Sequence, residues 1–106
     1  MSNYALIDHI IKDWAKKHSL KLNVSFGGME SRYVYLSSIK GECFQIFISP
    51  PSGGSIDIYA ACLEGRREND LPEKWTMPSQ DLAMTLEKAY HIVINWMGPS
   101  ERFFRS

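Results

Sequence analysis

The sequence predicts an α+β fold in the order α-β-β-β-β-α, with two helices packed on one face of a four-stranded antiparallel meander. Apolar residues recur at helical spacing over residues 4–18 and again over residues 79–97. Between these segments the apolar residues alternate at a period of two, and glycine-containing turns divide them into short runs. Two helices with one apolar stripe each and a sheet with one apolar face form the simplest two-layer structure.

The first helix is predicted over residues 4–18, YALIDHIIKDWAKKH. Ser2 or Asn3 can cap its N-terminus, and the basic residues of its last turn suit the helix dipole. Its apolar residues follow the i, i+3, i+4, i+7 spacing of an amphipathic helix. This stripe comprises Leu6, Ile7, Ile10, Ile11 and Trp14.

Four strands are predicted after the first helix. They cover residues 20–26, 32–39, 43–48 and 56–62. Alternation places their apolar side chains on one face and the remaining side chains on the other. The apolar face is predicted to contain Leu20, Leu22, Val24, Phe26, Val34, Leu36, Phe44, Ile46, Ile48, Ile56, Ile58, Ala60 and Cys62.

The turn between the second and third strands is predicted to be the three-residue loop 40–42, with Gly41 near the left-handed conformation. A two-residue loop there would mix apolar and polar faces. A three-residue loop pairs Leu36 with Ile46 and Tyr35 with Phe47, which keeps the faces apart. We therefore prefer the longer loop.

A long loop is predicted over residues 65–78, which are charged and interrupted by proline, with Trp75 reaching the core. Ser79 is a plausible N-cap for the second helix, and Gly98-Pro99 ends that helix. Its buried stripe is predicted to contain Leu82, Leu86, Ala89, Tyr90, Val93, Trp96 and Met97.

The chain is predicted to be a single domain over residues 1–106, since this length supports one hydrophobic core. Residues 98–106 are expected to form a tail that frays unless Phe103 or Phe104 docks on the domain. No internal repeat or interdomain linker interrupts the sequence.

The charge composition argues against a general nucleic-acid-binding protein, because 12 basic residues balance 12 acidic ones. The N-terminus lacks the basic start and small-residue cleavage site of a secretory signal, so we expect a cytoplasmic protein. There is no run of about 18 apolar residues, so we expect no membrane span.

No residue pattern indicates catalysis, a cofactor or a metal. Cys43 and Cys62 are predicted to lie on opposite faces of their hairpin, so we expect two free thiols. His9, His18 and His91 are scattered, and no Cys-x-x-Cys motif accompanies them. We therefore expect neither an enzyme nor a zinc protein.

The sheet face that the helices leave open is the first candidate site. The predicted register places Phe47 opposite Asp57 and Gln45 opposite Tyr59. Aromatic side chains there would give a partner a large contact area at low entropic cost. The alternatives are cross-strand stacking for stability alone, and coverage by the tail or by a second subunit. The patch comprises Tyr33, Tyr35, Phe47 and Tyr59, edged by Lys21, Asn23, Gln45 and Asp57.

The charged loop over residues 64–75 is the second candidate site. A long loop in a compact domain is often functional, and the alternative is a solvated connector. The loop residues expected to contact a partner are Arg66, Arg67, Glu68 and Asp70.

The layout from Trp14 through GECFQIFISPPSGGSIDIYAACLEG to DLAMTLEKAYHIVINWM resembles that of bacterial immunity proteins. Such proteins neutralise polymorphic toxins delivered by contact-dependent or type VI secretion. The layout is similar to the TriTu group, which protects against toxins that modify the translation machinery. The resemblance covers most of the chain. It implies that the protein binds one cognate protein toxin in a one-to-one complex and blocks its active site or an essential surface, without turnover or a cofactor.

Two other functions remain as alternatives. Aromatic residues on an open sheet can stack RNA bases, which would make the protein a single-stranded RNA-binding module. We expect Lys21 and Arg32 to border that face, which leaves few cations for RNA. A small secretion chaperone or dimeric adaptor would use the same face for a homodimer.

Overall fold

The structure, a computed structural model, describes residues 3–38, 41–63 and 73–97. A short 3₁₀ turn and a helix precede five strands, and a second 3₁₀ turn and a second helix follow them. The elements are the 3₁₀ turn Asn3–Leu6, α1 Asp8–Lys17, β1 Asn23–Phe26, β2 Met29–Ser37, β3 Cys43–Ile48, β4 Ile56–Cys62, β5 Glu73–Met77, the 3₁₀ turn Ser79–Asp81 and α2 Leu82–Met97.

The strands form one antiparallel sheet of five strands in the order β1-β2-β3-β4-β5, so each strand pairs with its neighbour in the chain. The α+β class and the meander are confirmed, but the predicted number of four strands is wrong. Glu73–Met77 forms β5 within the segment predicted as a loop. Met77 lies opposite Ile56 and Trp75 opposite Ile58, so β5 extends the apolar face. Charged residues and prolines flank this short run, so the alternation of its apolar side chains was not recognised as a strand from the sequence.

Both helices pack on the apolar face of the sheet in one continuous core, as predicted. Full burial of an aliphatic or aromatic side chain contributes about 1.5–3 kcal/mol relative to exposure, so this core holds the two layers together. The core side chains from the helices and strands are Ile7, Ile11, Trp14, Ala15, Val34, Leu36, Phe44, Ile46, Ile48, Ile56, Ile58, Ala60, Met77, Leu82, Leu86, Ala89 and Val93.

The N-terminal segment differs from the predicted helix at its start. Residues Asn3–Leu6 form a 3₁₀ turn, and α1 begins only at Asp8. Leu6 is consequently 72% exposed, although the predicted stripe placed it in the core. Tyr4 is buried instead, and its hydroxyl donates a hydrogen bond of 2.7 Å to the carbonyl oxygen of Ile48.

The hairpin between β2 and β3 keeps the predicted faces but not the predicted partners. Leu36 lies opposite Phe44 and not opposite Ile46, which is a shift of two residues. The Ser38 N–H donates a hydrogen bond of 2.9 Å to the Glu42 carbonyl oxygen and closes the hairpin. The turn is therefore centred one residue earlier in the chain than the predicted loop, residues 40–42. A shift of two residues leaves side-chain parity unchanged, so the faces still agree with the prediction.

The hairpin between β3 and β4 shows the same kind of shift, because Phe47 lies opposite Tyr59 and not opposite Asp57. Its turn is closed by Ser52 and Ser55, with Gly53-Gly54 at the two central positions at φ of 59° and 83°. Two consecutive left-handed residues are typical of a type I′ hairpin turn. The observed pairing of β3 with β4 is centred one residue later in the chain than the predicted pairing.

β1 is shorter than predicted and irregular. It begins at Asn23, and its pairing with β2 shifts register between Asn23 and Ser25. Val24 is therefore 52% exposed and not buried, because an irregular ladder breaks the alternation of faces. Leu20 and Leu22 still pack against the core, from the segment that precedes the strand.

The predicted second helix is confirmed as α2, preceded by the 3₁₀ turn Ser79–Asp81. None of the helices within the described ranges combines the length and apolar character that crossing a membrane requires. The predicted tail, residues 98–106, and residues 64–72 of the charged loop lie outside the described residues.

Candidate functional site

One row of directly opposed residues crosses all five strands on the side of the sheet that the helices leave open. The row runs through Asn23, Tyr33, Phe47, Tyr59 and Lys74, each of them the register partner of the next. Alternation along β2, β3 and β4 turns these side chains away from the core. We call the four rings of this side the open aromatic face: Tyr33, Tyr35, Phe47 and Tyr59.

The three rings of the row contact one another across the strands. The rings of Tyr33 and Phe47 are stacked, with centroids 6.3 Å apart and 16° between their planes. The centroids of Phe47 and Tyr59 are 6.5 Å apart. Each such cross-strand pair contributes about 0.2–1 kcal/mol to the sheet. The prediction had paired Phe47 with Tyr35 and Asp57, so the register shift creates an aromatic row that the predicted pairing did not contain.

Tyr33 is the buried member of the open aromatic face. Its side chain is only 8% exposed, and its hydroxyl donates a hydrogen bond of 2.9 Å to the carbonyl oxygen of Ser25 in β1. Burial raises the pKa of the Tyr33 phenol, and neighbouring Tyr35 raises it further. Tyr33 therefore offers little surface of its own and instead fixes the positions of its neighbours.

Tyr35 is the most exposed ring of the open aromatic face, with 43% of its surface accessible. Its ring meets Tyr33 edge-on at a centroid distance of 5.4 Å. Gln45 lies directly opposite Tyr35, and Ala61 lies opposite Gln45 on the next strand. The predicted pairing of Gln45 with Tyr59 is wrong because of the same register shift.

The β4–β5 end of the face carries two charges that already have partners. The Thr76 hydroxyl donates a hydrogen bond of 2.7 Å to Oδ1 of Asp57, and Lys74 Nζ lies 3.9 Å from Asp57 Oδ2. Lys74 Nζ also lies 5.7 Å from the centroid of the Tyr59 ring, within cation–π range. The positive and negative charges at this end therefore largely offset each other.

The structure brings together six of the ten residues predicted to contact a partner. Arg32, predicted to border this face, lies instead on the helix side, where it is buried and hydrogen-bonded to Asp8. The six residues on the open side are Tyr33, Tyr35, Gln45, Phe47, Asp57 and Tyr59. The other four, Arg66, Arg67, Glu68 and Asp70, lie outside the described residues.

A polar cluster between the two helices was not predicted. Nε2 of His18 lies 2.7 Å from Oε1 of Glu87, and Lys17 Nζ lies 3.2 Å from the same oxygen. The His18 ring stacks on Tyr90 at a centroid distance of 3.8 Å, and His91 Nε2 lies 3.7 Å from the second Glu87 oxygen. The i, i+4 spacing of Glu87 and His91 is visible in the sequence, but the approach of the α1 residues is a tertiary contact.

The electrostatics of this cluster favour an ionised Glu87. Burial opposes ionisation, but the hydrogen bonds and charges of His18 and Lys17 outweigh it and lower the pKa of the Glu87 carboxyl. A cavity of about 260 Å³ opens beside His18, with Tyr90 and Ile94 among its lining residues. Across the described ranges, no three His, Cys, Asp or Glu side chains are grouped so that they could hold a metal ion.

The two cysteines are free thiols, as predicted, and both are half-buried. Cys43 lies at the start of β3 and Cys62 at the end of β4, where Cys62 packs against the core.

Comparison with known proteins adds no relative. No family model matches the chain, and neither a curated protein nor a solved structure matches it.

Proposed function

We propose that this protein binds one partner protein through its open aromatic face and acts by that binding alone, without turnover. The observation that carries the proposal is the aromatic row on the side of the sheet that the two helices leave open, beside which Tyr35 is 43% exposed. Tyrosine and other aromatic residues are enriched where protein interfaces have their binding energy.

The support beneath this face favours tight binding. Phe47 and Tyr59 are held by their ring contact, while the reverse side of β3 and β4 is anchored in the core. A surface whose side chains are already ordered loses less conformational entropy when a partner binds. A specific complex of ordinary size buries about 800 Å² on each partner, and the open face extends over all five strands.

The partner we propose is a cognate antibacterial toxin, which makes the chain an immunity protein acting in the cytoplasm. This step comes from the resemblance of the apolar layout to immunity proteins of polymorphic toxin systems. One-to-one binding would block the toxin's active site or an essential surface. The four charged residues of the loop, Arg66, Arg67, Glu68 and Asp70, would add polarity at the rim of the interface.

Charge favours a protein partner over single-stranded RNA. On β3, β4 and β5 the cation of the open face is Lys74, and it lies 3.9 Å from the Asp57 carboxylate. RNA affinity depends on cations that neutralise phosphates, and a cation already paired contributes less. Aromatic stacking alone would leave an RNA complex weak.

The experiment that tests the proposal is co-expression with the protein encoded immediately upstream of this chain's gene, which the proposal expects to contain the toxin domain. We expect the two chains to co-purify in equal amounts and growth to be rescued. Tyr35→Ala should weaken the complex, whereas Met84→Ala, at an exposed position of α2 on the other layer, should leave it intact. A toxin that kills regardless of the chain and never co-purifies would refute the proposal.

Two further measurements separate the alternatives. Binding to poly-uridine that weakens steeply between 50 and 500 mM salt would favour the RNA-binding module. A dimer of the isolated chain in sedimentation equilibrium, dissociated by Tyr35→Ala, would favour the dimeric adaptor.

A further inference from the structure

The two ends of the open aromatic face differ in charge. At the β4–β5 end, Asp57 and Lys74 pair with each other, and Thr76 also donates to the Asp57 carboxylate. Towards the other end of β4, Tyr35, Gln45 and Ala61 form a second cross-strand row over β2, β3 and β4, which flanks the aromatic row on the side away from Asp57. This second row contains no charged side chain.

Within the described part of the chain, this uncharged row also has free binding capacity. Tyr35 has 43% of its surface accessible. The half-buried amide of Gln45 is hydrogen-bonded to no other residue in the described part of the chain. Ala61, half-buried as well, projects only a methyl group beside it. An exposed ring, an available amide and a small neighbour can together accept an apolar side chain and a hydrogen-bonding group.

We infer that the partner docks on the Tyr35–Gln45–Ala61 row and meets it with an uncharged surface, which packs an apolar side chain against Tyr35 and Ala61 and hydrogen-bonds the Gln45 amide. This inference rests on the proposed function and specifies the partner's chemistry at that site. Charged residues are depleted from the centre of protein interfaces, because desolvating an unpaired charge there is costly. An uncharged row is therefore complementary to an uncharged partner surface.

The Asp57–Lys74 pair then lies at the edge of the interface. Exposed charges at a rim change association rates and salt dependence more than affinity. Binding should consequently depend weakly on ionic strength and strongly on any charge placed in the row.

The test compares one added charge at two places, with the protein encoded immediately upstream of this gene, the expected toxin, as the probe. Ala61→Lys puts a charge in the row, and Met84→Lys puts the same charge on the exposed side of α2. Affinities are measured by calorimetry at 50 and 500 mM salt. Circular dichroism and thermal unfolding establish that each variant is folded.

We expect Ala61→Lys and Tyr35→Ala each to weaken binding by about thirtyfold or more, as residues at the centre of an interface do. Gln45→Ala should weaken it by about tenfold, as expected when a partner's buried polar group is left unpaired. Met84→Lys and Lys74→Gln should stay within about threefold of the wild type, as exposed or rim residues do. The wild-type affinity should change by less than about tenfold over the salt range, unlike that of a phosphate-binding protein.

Failure of the inference can be distinguished from failure of the proposed function. If the wild type binds the toxin but Ala61→Lys binds equally well, or if Lys74→Gln is the damaging change, the docking row is wrong and the function stands. If the folded wild type does not bind the toxin, the proposed function fails. If the isolated chain forms a dimer that Ala61→Lys dissociates, a second copy of the chain covers the row and the inference is overturned.

Discussion

The Arg32 guanidinium forms a two-pronged hydrogen bond with the Asp8 carboxylate. Arg32 Nε lies 2.6 Å from Asp8 Oδ1, and Arg32 Nη2 lies 2.9 Å from Asp8 Oδ2. The guanidinium also lies 4.4 Å from the centroid of the Tyr4 ring, and Nη1 donates to the Ser31 carbonyl oxygen at 2.7 Å. Because Arg32 belongs to β2 and Asp8 begins α1, this pair joins the helix layer to the sheet.

Asp8→Asn should destabilise the fold by about 2 kcal/mol, because the buried Arg32 guanidinium loses its two-pronged partner and keeps only the Glu30 carboxylate, 3.2 Å from Nη2. Urea unfolding at pH 7 measures the change. Asp13→Asn, at an exposed position of the same helix, is the matched control and should change stability by less than about 0.5 kcal/mol. Equal midpoints for the two variants would show that the pair contributes nothing to stability.

The same carboxylate should make the protein sensitive to acid. The hydrogen bonds from Arg32 lower the pKa of Asp8 below its usual value of 3.8, although burial opposes them. A carboxyl with a lower pKa in the folded state than in the unfolded state stabilises the fold above the unfolded-state pKa. That contribution is lost as the pH falls through the folded-state pKa.

Wild-type stability should therefore decline from about pH 5 downward, and the decline should be shallower in Asp8→Asn. The lowered pKa of Glu87 acts in the same direction and remains in both proteins. Urea midpoints at pH 6, 4.5 and 3 measure the two slopes. Parallel slopes for both proteins would contradict the assignment to Asp8.

Alternation along the strands predicted which face each side chain occupies but not its partner across the sheet. Leu36 and Tyr59 lie on the predicted faces, yet both pair with residues two positions from those expected. A two-residue slide preserves parity, so a hydrophobic pattern cannot detect it. The register is decided by the turns: the turn closed by Ser38 and Glu42 shifted the β2–β3 pairing, and the Gly53-Gly54 turn shifted the β3–β4 pairing.

Local sequence patterns did not predict the contacts between residues that are far apart in the chain. Arg32 was expected to border the open face, whereas the packing of α1 on the sheet brings Asp8 to it on the helix side. His18 and Glu87 are 69 residues apart, and only the packing of α1 on α2 joins them. The candidate site was predicted better, because its four rings depend on alternation within single strands.

The Gly53-Gly54 turn provides the third prediction. Gly53 has φ of 59°, and a Cβ atom added there would meet nothing within 4 Å, so the backbone conformation alone limits substitution. Gly53→Val should cost about 1–2 kcal/mol, whereas Gly53→Asn should cost less because asparagine tolerates the left-handed region. Thermal unfolding of both variants measures the difference. If valine were tolerated as well as asparagine, the left-handed turn would not set the register of β3 and β4.

The helix-to-helix cluster provides the fourth prediction. His18→Phe keeps an aromatic ring against Tyr90 but removes the 2.7 Å contact with Glu87. A double-mutant cycle with Glu87→Gln should give a coupling energy of about 1 kcal/mol at pH 6, which is modest because the cluster is partly solvated. The same cycle between Lys17 and Glu87 should give a smaller value, because Lys17 is largely exposed. Additive effects of His18→Phe and Glu87→Gln would mean that the contact does not hold the helices together.

The two phenylalanines of β3 test the division of the sheet into a core face and a binding face. Phe44 is fully buried and lies 6.0 Å from the Trp96 ring, whereas Phe47 is half-buried on the open aromatic face. Phe44→Ala should cost about 3–5 kcal/mol because it leaves a cavity between the layers. Phe47→Ala should cost about half as much or less, because it loses its cross-strand ring contacts but opens no cavity in the core.

Partner binding should respond in the opposite order: among variants that remain folded, Phe47→Ala should weaken the complex more. Urea unfolding and calorimetry on the same two proteins measure both effects, and a greater loss of stability in Phe47→Ala would mean that the assigned faces are reversed.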